Sequence, residues 1–276
     1  MEKLIIQSPA KLNLYLKVTK RLSNGYHELD TSFQLIDIFD TLEFVNSDST
    51  IINVSCSERS INQQNNIIYK AANILKEITS KKVGVDISLK KNIPLGGGLG
   101  GGSSNAATTI CVLNKLWELN LSTNELMKIG VKLGADIPLF IKGESSYAKG
   151  IGEKLTPKKS ISGKFVVISP DIHSSTKEMF DLYDQQKNNK HKANAFAQND
   201  FWQVFIEKNN QVSKFYKKYS QNFDICLSGT GSSMFIKYND ELEKEKIIKI
   251  IPSKWRFFFA KPLQCSPLKS LKSNGV

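Results

Sequence analysis

The sequence predicts an α+β protein of two lobes, and three observations carry that expectation. Apolar residues alternate near the N-terminus, as in a half-buried strand. Near residue 100 a strand runs straight into a glycine-rich loop and then into a helix with one apolar face. Beyond residue 163 strands and helices recur without strict βα alternation.

Taken in order, Leu12, Leu14, Leu16 and Val18 alternate with Lys11, Asn13, Tyr15 and Lys17, so Lys11 and Asn13 share the polar face of a strand. Asn24-Gly25 supplies a hairpin turn, and residues 33–45 return as a second strand region. Asn66 caps a helix through Ile67, Ala71, Ile74, Leu75 and Ile78, and residues 83–89 alternate as a strand. After the loop, Ala106, Ile110, Leu113 and Trp117 mark a helix face. Ser122 with Glu125 is a capping-box signature for a further helix that closes at Gly134. Residues 156–163 read as the linker, which divides the chain into 1–157 and 158–276. Strands are then expected at 165–169, 224–227, 234–238 and 255–260, helices at 179–183, 201–206 and 242–251, and a solvated loop at 185–192.

With 276 residues and 40% hydrophobic content the chain can bury a sizeable core. Cys56, Cys111, Cys226 and Cys265 form no CxxC pair, which argues against a zinc site or a disulfide framework. No apolar run approaches the roughly 20 residues that span a bilayer, so a soluble, cytoplasmic protein without membrane partners is expected. The net charge of +12 comes from lysines spread along the chain, with no nucleic-acid-binding motif among them. It suits a polyanionic small molecule better than nucleic acid.

The strongest local signal is Pro94-Leu95-Gly96-Gly97-Gly98-Leu99-Gly100-Gly101-Gly102-Ser103-Ser104, with six of the 17 glycines in seven residues. Glycine lets backbone approach a ligand closely, and a helix starting near Ser103 would aim its free N–H groups at the loop. Together they make a polyphosphate cradle that is neither GxxxxGK[ST] nor GxGxxG. Ser103 and Ser104 offer hydroxyls to phosphate or Mg²⁺. Lys91 either reaches phosphate or belongs to the solvated surface.

Asp136 stands in apolar company past a helix end, either as a cap or as a catalytic carboxylate held ionised by a cation. Lys11 alone is an exposed strand lysine. His27 alone is a turn histidine, although the adjacent Tyr26 opens the option of sandwiching a planar base. Ser228-Gly229-Thr230-Gly231 joins two strands as a flexible turn.

The glycine loop resembles the second motif of the galactokinase, homoserine, mevalonate and phosphomevalonate (GHMP) kinase superfamily, and the first and third motifs are similar too. Ser8-Pro9-Ala10-Lys11-Leu12-Asn13-Leu14, Asn24-Gly25-Tyr26-His27-Glu28-Leu29, Gly134-Ala135-Asp136-Ile137-Pro138, Gly150-Ile151-Gly152-Glu153 and Ser228-Gly229-Thr230-Gly231 extend the resemblance to about residue 240. Tyr26-His27 favours the branch that phosphorylates the 2-hydroxyl of 4-diphosphocytidyl-2-C-methyl-D-erythritol with ATP, in the non-mevalonate route to isoprenoids. The resemblance implies a GHMP-kinase-like fold with its active site between the lobes. It makes Asp136 the base, Lys11 its partner, Asn13, Tyr26, His27, Gly229 and Thr230 substrate contacts, and Gly96 to Ser104, with Pro94 and Lys91, the ATP phosphate site, served by Mg²⁺. Two departures stand out. Ser169-Pro170-Asp171-Ile172-His173-Ser174-Ser175-Thr176 replaces the usual proline-glycine start of the second lobe, and no Glu matches the acidic metal ligand of the mevalonate kinase branch. The rival readings are another kinase of the superfamily, acting on homoserine, mevalonate or a sugar, and a catalytically silent nucleotide- or RNA-binding module. Tyr26-His27 argues against the first, and the Lys11 and Asp136 pair against the second.

Overall fold

The structure, a computed structural model, describes residues 3–58, 66–188 and 198–271. Strands β1 (Lys3–Arg21) and β2 (His27–Ser47) form one long antiparallel hairpin. At its turn the Leu22 amide donates to the Tyr26 carbonyl at 2.7 Å, and Gly25 takes the positive φ that the bend requires. Along β2, Ile36 and Ile38 pack between the sheets, and Leu42 and Phe44 pack in the first core, with Asp40 buried between them. Register shifts between Pro9 and Ala10, and between Asn13 and Tyr15, bracket Lys11 and Asn13. Such irregularities bend a strand and re-aim its side chains.

β3 (Ile52–Cys56) lies parallel to β4 (Gly84–Lys90), joined through helix α1 (Ile67–Ile78). Asn66 caps α1 by accepting from the Ile68 amide. After the glycine loop come α2 (Gly101–Leu116), α3 (Thr123–Leu133) and the short α4 (Ile137–Lys142). The Ser122–Glu125 capping box opens α3. β5 (Ser146–Gly150) and β6 (Lys154–Pro157) complete the order β3-β4-β2-β5-β6, with β1 also on β2.

The second sheet has the order β10-β7-β9-β8, from β7 (Lys164–Ser169), β8 (Cys226–Leu227), β9 (Met234–Tyr238) and β10 (Arg256–Ala260). Its helices are α5 (Thr176–Asn188), α6 (Trp202–Lys208), α7 (Asn210–Tyr219) and α8 (Glu241–Ile250). The expected break at 157/158 falls between β6 and β7. β11 (Pro262–Leu263) then crosses back to pair with β2, and Leu268 in the closing 3-10 turn enters the first core.

The first core joins that sheet to α1–α4, and the second joins the other sheet to α5–α8 along with Leu16 and Val18 of β1. A third apolar cluster lies between the sheets, where Ala10, Leu12, Ile36 and Leu99 meet Phe165, Val167 and Phe235. β1 therefore contributes both to the second core and to the cluster between the sheets.

Four local expectations change. α2 begins at Gly101 rather than near Ser103, because the first-turn amides of a helix need no internal partner and tolerate glycine there. Residues 185–188 continue α5 instead of looping, and 189–192 lie outside the described residues. The linker at 156–163 is tied down: Ile161 donates to the buried Gln34 Oε1 at 3.2 Å and Ser160 Oγ to the Leu263 carbonyl at 2.7 Å. Apolar spacing predicts neither α4, six residues long, nor α7, a lysine-rich stretch in which only Val212 and Phe215 are buried.

Candidate active site

The glycine loop spans the gap between β4 and α2. Gly96, Gly98 and Gly100, every second residue, have φ of +62, +69 and +71. Alternating left-handed positions turn successive N–H groups to one side, which makes an anion-binding hollow. Gly100 stands at the start of α2 with no side-chain cap, and the first turn carries no acidic residue, so those amides and the positive helix end are left for a ligand.

The turn Ser228–Ser233 braces this loop from the second lobe. Ser233 and Ser232 amides donate to the Gly97 and Gly96 carbonyls at 3.0 and 3.3 Å, and Ser228 Oγ donates to the Gly98 carbonyl at 3.0 Å. A Cβ on Gly98 would lie 2.1 Å from the Ser228 carbonyl oxygen, so only glycine fits there.

β1 is fastened to the same loop, with the Lys11 amide donating to the Leu99 carbonyl at 3.0 Å. Lys11 is buried rather than exposed. Its ammonium stands 3.6 Å from Asp136 Oδ2 and donates to Asn13 Oδ1, and Asn13 Nδ2 donates to Thr31 Oγ1 at 2.9 Å. Burial pushes the Lys11 pKa below its ordinary 10.5, and the neighbouring Asp136 charge opposes that shift. Asp136 precedes α4, yet its carboxylate makes no capping bond and turns to Lys11. A Cβ on Gly229 would be 3.4 Å from both Lys11 Nζ and Asn13 Oδ1, so the second-lobe turn reaches the ion pair.

Lys91 and Ser104 each have a buried polar partner. Lys91 is no solvated lysine: its ammonium lies 2.5 Å from the fully buried Asp40 carboxylate. Asp40 also accepts from the Asn92 and Ile93 amides at 2.8 and 2.9 Å and from Asn105 Nδ2 at 2.9 Å, which ties β2, the start of the loop and α2 together. Ser104 is buried, and its hydroxyl accepts from Ser8 Oγ at 2.7 Å. Ser103 is half-buried in the same turn.

His27 opens β2 and is buried, whereas Tyr26 is exposed. The imidazole stacks on Phe180 at 4.6 Å, its Nε2 is 2.8 Å from Asp184 Oδ1, and Arg21 Nε is 3.3 Å from Asp184 Oδ2. Thr230 Oγ1 lies 3.3 Å from Thr176 Oγ1. Sequence reasoning missed Asp40, Phe180 and Asp184. Asp40 had a signal, a carboxylate in the inward register of β2, but Phe180 and Asp184 look like any other residues of a surface helix.

An anion cradle on a helix start, hydrogen-bonded to the strand that carries a buried lysine paired with a carboxylate, belongs to a small-molecule kinase. Comparison with known proteins agrees. The GHMP kinases N terminal domain matches residues 66–144. A 4-diphosphocytidyl-2-C-methyl-D-erythritol kinase of Psychromonas ingrahamii is 40% identical over 269 residues, 96% of this chain and 95% of its own. One of Haemophilus influenzae is 38% identical over 270 residues, 96% of this chain and 86% of its own. The crystal structure of a 4-(cytidine 5'-diphospho)-2C-methyl-D-erythritol kinase superposes with a TM-score of 0.77 at 25% identity, covering 94% of this chain and 99% of that one. Homoserine kinase from Cytophaga hutchinsonii shares the fold, with a TM-score of 0.68 at 13% identity over 96% of each chain. The chain belongs to the 4-diphosphocytidyl-2-C-methyl-D-erythritol kinase family of GHMP kinases.

Proposed function

We infer that the protein transfers the γ-phosphoryl group of ATP to the 2-hydroxyl of 4-diphosphocytidyl-2-C-methyl-D-erythritol, a step of the non-mevalonate route to isoprenoid precursors. The observation that carries this reading is the Lys11–Asp136 pair, 3.6 Å apart on a strand hydrogen-bonded to the glycine loop. Asp136 takes the proton of the attacking hydroxyl. Lys11 stands against that carboxylate and offsets the charge developing on the oxygen, and Asn13 fixes the ammonium. The loop from Leu95 to Ser103, which follows Pro94, holds the phosphates through backbone N–H groups. Positioning and charge stabilisation supply most of the rate in such in-line transfers.

Gly229 and Thr230 close the acceptor site, and Tyr26 and His27 hold the cytidine. Because Asp184 engages His27 Nε2 and the Tyr26 backbone is bonded to Asn24 and Leu22, the base is left with His27 Nδ1 and the His27 backbone. Among the described residues no three His, Cys, Asp or Glu side chains converge as a metal group. Mg²⁺ is usually carried on nucleotide phosphates with few protein ligands; Asp136 and the Ser103 hydroxyl are the residues that would complete its shell. The ion would neutralise charge on the transferring group. Among the described residues no helix is long and apolar enough to cross a membrane.

The test is ATP consumption with Mg²⁺ and, separately, the cytidine-diphosphate alcohol, mevalonate and homoserine. Turnover with the cytidine compound alone is expected. Turnover with mevalonate or homoserine instead would reassign the substrate, and turnover with none would favour a silent binding module.

A further inference from the structure

The cradle has an unusual charge arrangement. Residues 94–102 and 228–233, which form its floor and brace, contain no charged side chain. The two buried ammonium groups nearby are each beside a carboxylate, Lys11 by Asp136 and Lys91 by Asp40. A polyphosphate on this loop would therefore meet little uncompensated side-chain charge from either lysine.

The segment 170–175, where the sequence departs from the superfamily pattern, comes back over this loop. Ser174 is buried and its hydroxyl donates to the Thr230 carbonyl at 2.8 Å, and Ile172 packs against the second core. With both neighbours turned inward, His173 between them stays exposed. Its ring covers Gly96: a Cβ there would lie 2.6 Å from His173 Nδ1 and 2.9 Å from Cε1. Gly96 itself is held by the Ser232 amide. The imidazole thus lies beside the first left-handed residue of the cradle.

We propose that His173 is a further nucleotide-binding residue, contacting the polyphosphate chain and holding it more tightly when its imidazole is protonated. The proposal rests on the reading of the glycine loop as the phosphate site. Around His173 the loop and the 228–233 turn contribute no titratable group, and its own segment contributes exposed Asp171, Lys177 and Glu178, the last paired with Lys208. Protonation adds a positive charge and a second donor to the ring, and charge-assisted hydrogen bonds to phosphate are the stronger kind.

The experiment measures ADP binding in the presence of Mg²⁺ by calorimetry at about pH 6 and about pH 8, which spans the range where histidine side chains change charge. The proteins compared are the wild type, His173→Gln, His173→Arg and, as a check on the loop, Gly102→Val. At the lower pH His173→Gln should bind about three- to fivefold more weakly than wild type, the size of a partly solvated charge contact, and at the higher pH the two should match. His173→Arg, charged throughout, should exceed wild type at the higher pH. A His173→Gln curve equal to wild type at both pH values, or weakened equally at both, overturns the proposal. If Gly102→Val alone loses affinity, the loop reading stands without His173; if Gly102→Val binds ADP normally, the loop reading itself is overturned.

Discussion

Lys11 and Asn13 owe their aim to strand alternation sharpened by two register shifts, and from that geometry the behaviour of single residues follows. Asp136→Asn keeps the shape but removes the proton acceptor, so turnover should fall about 100- to 10,000-fold while ATP affinity, read by calorimetry, holds. Turnover within a few-fold of wild type would remove Asp136 from the chemistry. Because burial lowers the Lys11 pKa from 10.5, rate should be lost on the alkaline side before an ordinary lysine titrates. A rate profile taken up to about pH 10 checks this, and Lys11→Arg, which stays charged throughout, should keep reduced activity without that alkaline decline. The same shift has a sign for stability. The folded chain releases this proton more readily than the unfolded one, so between the lowered value and 10.5 the contribution of Lys11 to stability rises with pH.

Among the elements, the glycine loop separates two kinds of constraint. Gly98 has φ +69 and a Cβ there would meet the Ser228 and Gly231 carbonyl oxygens at 2.1 and 2.8 Å, so Gly98→Val should lower both Tm and ATP affinity by disrupting the contact between the lobes. Gly102 is exposed, and a Cβ there would meet only Ile67 Cγ2 at 3.9 Å. Gly102→Val should therefore nearly keep the Tm and lose ATP affinity, as seen by thermal melts beside calorimetry; a normal affinity in that variant would place the phosphates elsewhere. The density of glycine announced the loop in the sequence. Which glycine admits a neighbouring backbone and which lies open depended on the 228–233 turn folding back from a distant part of the chain.

Across the whole molecule, Asp40 joins β2, the start of the loop and α2 at zero exposure. Asp40→Ala should cost about 3–5 kcal/mol in chemical denaturation, because it leaves the buried Lys91 ammonium without its carboxylate. A loss under about 1 kcal/mol, the range of exposed pairs, would show that Lys91 swings out to water. Period-two and helical patterning determined the long hairpin, β4, the strand regions of the second sheet, most helices, the α+β class and the polar face bearing Lys11 and Asn13, since those depend on local backbone geometry and on which side of an element is apolar; β3, β5, β6 and β11 are too short to show a period. The motifs, in order along the chain, determined the kinase resemblance. Tertiary structure alone decided that Lys91 pairs with Asp40 and Ser104 with Ser8, that His27 is held by Asp184 and Phe180, and that residues 262–271 return to the first sheet, and it chose between the two readings of Asp136 by setting it against Lys11. Each of these is a pairing between residues far apart in the chain. A side chain buried in a low-dielectric interior takes the partner that the fold brings within hydrogen-bonding distance, and no local pattern of residues encodes that distance.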